Sequence, residues 1–113
     1  MDNIEHQLTT DESYEFEENW HDFEVRRGGT QCRLICRRQI SSGMTVTESR
    51  VLSSNDGWTI ELTISESGPL SPEYALLTCL IDINLPAPDN IRFSWVYATN
   101  EDADWPPVEF AEQ

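Results

Sequence analysis

The chain has 113 residues, and 21 Asp and Glu against seven basic residues give it a formal net charge of -14. All seven bases are Arg, so chemistry that depends on lysine is excluded: the phosphate-gripping lysine of nucleotide-binding loops and of kinases, and Schiff-base catalysis. A surface this acidic repels nucleic acid and anionic membrane and favours a basic protein partner.

At this length one domain buries roughly two thirds of its unfolded surface around a single core. The hydrophobic fraction of 38% is low, but four Trp, four Phe and three Tyr supply bulky core material and argue against global disorder. No apolar run approaches the roughly 20 residues of a membrane span. The first residues, Met1-Asp2-Asn3-Ile4-Glu5, are acidic where a secretory signal is basic. Three cysteines, Cys32, Cys36 and Cys79, are an odd number that suits a reducing compartment and buried free thiols rather than a disulfide framework. A cytoplasmic location is therefore expected, with no metal and no cofactor.

Taken in chain order, residues 1–13 are polar and acidic without periodicity, which reads as a flexible lead-in. From residue 14 to 99 the pattern is that of a β domain. Phe23 and Val25 alternate with Asp22, Glu24 and Arg26, Gly28-Gly29 offers a turn, and Cys32, Leu34 and Cys36 alternate with Arg33, Ile35 and Arg37, which together predict a hairpin. A β-prone segment over 44–52 leads to Asn55-Asp56-Gly57, the strongest tight-turn signal in the chain, and then to Trp58, Ile60, Leu62 and Ile64 in strict alternation. Residues 72–80 are ambiguous. Ser71-Pro72 suits a helix start, while the apolar run ending at Leu85 suits a buried strand, the preferred reading. Ile91, Phe93, Trp95 and Tyr97 alternate again. The expected fold is mainly β: about six strands as an antiparallel meander curled into a small barrel or sandwich, with room for one short helix, α+β being the alternative.

The charges are not evenly spread. Residues 1 to 24 hold nine carboxylates and no cation, whereas six of the seven arginines lie between Arg26 and Arg50. Pairing of the Arg33/Arg37 strand with the Asp22/Glu24 strand is expected to neutralise much of that cluster. In the N-terminal part Glu15, Glu17 and Glu18 stand among aromatics. In extended chain Glu15 and Glu17 project about 6.6 Å apart, near two DNA phosphate steps of about 3.4 Å each. The acidic, Pro-containing segment 100–113 repeats the mixture in Asp102, Asp104, Trp105 and Phe110. Abundant carboxylates single out no acid-base pair, and each of the five glycines falls at a turn, so an enzyme is not expected. The expected role is that of a small acidic binding protein that occupies a basic surface on a larger protein. Its sharpest form is an inhibitor that mimics nucleic acid against a nucleic-acid-processing enzyme, of the phage counter-defence or immunity type. The partner-binding candidates are Glu15, Glu17, Glu18, Asp22, Asp102, Asp104, Trp105 and Phe110. An accessory subunit of a multiprotein complex is the alternative, and a carrier with a pocket among Trp58, Trp95 and Tyr97 is the third.

Overall fold

Period-2 alternation governs nearly the whole of the folded chain. The computed structural model describes residues 2–15, 21–41, 44–66, 73–97 and 108–112, and every regular element among them is a strand. In chain order these are β1 (Asp2–Asn3), β2 (Gln7–Ser13), β3 (His21–Arg27), β4 (Cys32–Ser41), β5 (Met44–Ser54), β6 (Gly57–Glu66), β7 (Tyr74–Ile83), β8 (Ile91–Tyr97) and β9 (Val108–Glu112). They form two sheets, one ordered β1-β5-β6-β8-β9 and the other β2-β7-β4-β3.

The sheets face one another across a single core. From the four-stranded sheet come Leu34, Cys36, Leu77, Cys79, Ile81 and Ile83, and from the five-stranded sheet Val51, Ile60, Leu62, Ile64, Phe93 and Trp95, all buried. Phe23 of one sheet stacks on Phe93 of the other with ring centroids 5.1 Å apart, and Phe93 meets Trp95 edge to face at 5.0 Å. Trp58 and Trp95 are thus core residues.

The mainly-β expectation holds, and the arrangement is a sandwich. It differs from a meander in its connections. β3–β4 and β5–β6 are sequential antiparallel hairpins, but β7 crosses to the other sheet and inserts between β2 and β4. β8 then returns to lie parallel to β6. No closed barrel results, and among the described residues there is no helix. The ambiguous run is strand β7 because Ala75, Leu77, Cys79, Ile81 and Ile83 are all buried at period 2, a spacing that no helix face provides.

Strands are found toward both ends of the chain as well. The lead-in contains β1 and β2, and β2 pairs with β7 over seven residues, from Gln7 opposite Asp82 to Ser13 opposite Leu76. Leu8 packs against the core while Asp11 and Glu12 stay exposed, the charged character that protects a sheet edge. At the other end Val108–Glu112 is edge strand β9, antiparallel to β8, with Phe110 in register with Phe93.

Candidate functional site

Strand ends determine which connections share a neighbourhood. β2 stops at Ser13 and β3 begins at His21. β4 stops at Ser41 and β5 begins at Met44, β6 stops at Glu66 and β7 begins at Tyr74, and β8 stops at Tyr97 while β9 begins at Val108. The registers put Ser13 beside Leu76 and His21 beside Arg38 in one sheet, and Met44 beside Glu66 and Trp95 beside Val108 in the other. The guanidinium of Arg38, from the first sheet, lies 4.9 Å above the ring of Tyr97, from the second. All eight strand ends therefore belong to one end of the sandwich. Glu17, Glu18, Asp102, Asp104 and Trp105 belong to connections that leave from it, and these five lie outside the described residues.

Around those strand ends the described surface is acidic and aromatic. Glu12, Glu15 and Glu73 are exposed, and so are Tyr14 at 60% and Tyr74 at 57%. The chain turns out of β2 through Ser13, whose Oγ lies 3.3 Å from both the amide nitrogen and the carbonyl oxygen of Glu15. Asp22 has a different place. It holds Arg37 at 3.0 Å across the β3–β4 hairpin on a partly covered face, so it acts first as an ion-pair partner within the fold. Phe110 sits in β9, the edge strand paired with β8.

Asp22–Arg37 is the cross-strand neutralisation that the hairpin suggests, whereas Glu24 and Arg33 find other partners. Glu24 is in register with Ile35, and Arg33 is in register with Arg26. Arg33 turns instead to Asp82 of β7, with hydrogen bonds of 2.6 and 3.1 Å, and Glu24 reaches Arg26 along its own strand at 3.5 Å. These pairs are largely solvent-exposed, where such contacts contribute about 0 to 1 kcal/mol each.

Arg38 carries a signal that the sequence held and the arginine count concealed. It has the same parity as Cys32, Leu34, Cys36 and Ile40, so it belongs to the inward face of β4. Its Nη1 is buried without a hydrogen-bond partner, and burial pushes its pKa down, although a guanidinium stays charged at any ordinary pH. The acidic end of the sandwich thus has the Arg38 guanidinium on its inward face, partly buried. The indole Nε1 of Trp95 is likewise buried without a partner.

The thiols are poorly suited to chemistry. Cys32, Cys36 and Cys79 are free and buried, burial pushes Cys36 well up, and Cys79 is pushed up to about 12. Little thiolate exists at neutral pH in such a setting. Among the described residues no group of three or more His, Cys, Asp or Glu is placed to hold a metal ion, and no helix is long and apolar enough to cross a membrane.

No protein-family model matches the chain, and neither a curated protein nor a solved structure matches it.

Proposed function

We propose that this protein is a stoichiometric, non-catalytic binding protein that occupies a basic surface on a larger protein, most sharply as an inhibitor presenting carboxylates where a nucleic-acid-processing enzyme expects phosphates. One observation carries the reading: the strand ends that flank segments 16–20 and 98–107 meet at a single end of the sandwich. Those segments contribute Glu17, Glu18, Glu101, Asp102 and Asp104 in a chain of net charge -14. A two-sheet body whose acidic segments depart from strand ends at one end suits steering toward a cationic groove, because opposite potentials accelerate encounter.

The same end favours a second reading. Tyr14 and Tyr74 are exposed there, and tyrosine is a frequent anchor of protein interfaces. An accessory subunit held by such contacts would tolerate salt, whereas a phosphate mimic would not.

The test begins with a partner captured from native lysate and then measures association rates against salt. Replacing Glu15, Glu17 and Glu18 with Gln, and Asp102 and Asp104 with Asn, should slow association at low salt, flatten the salt dependence and leave the β fold intact. Duplex DNA should compete with the parent protein for that partner. Unchanged association by the five-fold variant would overturn the mimic in favour of a Tyr14/Tyr74 docking surface.

A further inference from the structure

At the opposite end of the four-stranded sheet a cavity of about 340 Å³ opens between the β3–β4 turn and the end of β7. Among the described residues, Arg26, Arg27 and Arg33 line it, against one carboxylate, Asp82. The wall therefore carries three positive charges and one negative in a molecule of net charge -14. The remote acidic groups count for little there, since charges beyond about 8 to 10 Å are screened at physiological ionic strength.

The arginines are held in place. Asp82 grips Arg33 through two hydrogen bonds, at 2.6 and 3.1 Å, and Arg27 donates from Nη2 to the carbonyl of Pro88 at 3.1 Å. The turn beneath them is closed by the Gly28 amide donating to the Gln31 carbonyl at 2.9 Å. Arg26 and Arg33 are directly opposite one another in the antiparallel register. Like charges in that relation repel and destabilise the strand pair. Glu24 relieves Arg26 only at 3.5 Å, with both side chains about half exposed. A doubly charged anion placed between the two guanidinia would convert the repulsion into paired, charge-assisted hydrogen bonds, the geometry in which Arg recognises phosphate.

We infer that this cavity is a binding site for a small phosphorylated polyol. The guanidinia take the phosphate, and Gln31, Asn84 and Asp82 in the wall supply groups suited to hydroxyls. Among the described residues no aromatic ring lines the cavity, so none of them offers a stacking platform for a nucleobase. Its volume is at the small end for ligand sites, which suits a phosphate with a short hydroxylated body.

Amide chemical shifts followed during titration with glycerol 3-phosphate, and separately with inorganic phosphate, at constant ionic strength test the site. Saturable shifts are expected, confined to residues 26–33 and 82–84, with glycerol 3-phosphate binding more tightly. Arg26→Gln, at an exposed position that leaves the core untouched, should weaken binding roughly tenfold. Arg92→Gln, at an exposed position on the other sheet, should leave it unchanged. Absence of saturable shifts, or equal loss in the two variants, overturns the site. Equal affinity for the two probes overturns the polyol and leaves a site for free phosphate.

Discussion

At Gly57 the backbone adopts φ of +131°, and a Cβ built there would come within 2.0 Å of the Asn90 carbonyl oxygen. That oxygen also accepts the Trp58 amide at 3.0 Å. The glycine following the Asn55-Asp56 turn thus admits both an unusual conformation and the close approach of the β7–β8 connection. Gly57→Ala should cost more than about 2 kcal/mol in denaturant unfolding, since it adds backbone strain to a clash with backbone rather than with a flexible side chain. A variant as stable as the parent would mean that Asn90 does not press on this position. The buried thiols act through pH. A thiol in the unfolded chain titrates near about 8.5, whereas Cys79 is pushed up to about 12 by burial. Between those values the unfolded state has lost a proton that the native state keeps, so stability falls as pH rises, at about 1.4 kcal/mol per pH unit, and this loss is absent below the lower value. Cys36 acts in the same direction through burial, reinforced by Cys79 and Asp22. Urea midpoints measured from about pH 8 to about pH 10.5 should decline, and less steeply in Cys79→Ala. Parallel declines would show that other groups drive the alkaline loss.

Among the elements, legibility followed how unequal a strand's two faces are. β6 and β8 bury Ile60, Leu62, Ile64, Phe93 and Trp95 on one side and keep hydrophilic or partly covered residues on the other, so their period survives in the letters alone. β2 concealed itself because it is an edge strand: only Leu8 packs on the core, while Thr10 and Glu12, of the same parity, are exposed. β7 was ambiguous for the opposite reason, since its second face, Leu76, Thr78, Leu80 and Asp82, is half-covered between β2 and β4. Local pattern carries no record of which sheet a strand joins, so the crossing of β7 and the parallel β6–β8 pair could not be read from it. The same boundary divides the candidate sites. The opposition of Arg26 and Arg33 follows from the hairpin register once the turn over 28–31 is fixed, and the inward parity of Arg38 follows from its strand. Asp82 as the partner of Arg33 does not, because 49 residues separate them.

For the whole molecule, 21 carboxylates against seven arginines mean that self-repulsion opposes compaction. The ion pairs of Arg26, Arg33, Arg37 and Arg50 are at least partly exposed and individually weak, so salt should relieve more repulsion than it removes attraction. Raising NaCl from about 0.02 M to about 0.5 M should therefore raise the melting temperature. A lower melting temperature in salt would assign net stabilisation to the ion pairs. The position of β7 governs the order of assembly as well. It holds β2 on one side and β4 on the other, and it is completed only at Ile83. A growing chain that has reached Glu66 already contains both hairpins, yet β2 has nothing to pair with and β4 presents an open edge. The acidic strand β2 must wait for one made about seventy residues later, a closure that slows folding and leaves the interval exposed to mispairing between nascent chains. During that interval the repulsion that weakens the finished fold works in its favour, keeping unfinished copies apart until β7 arrives.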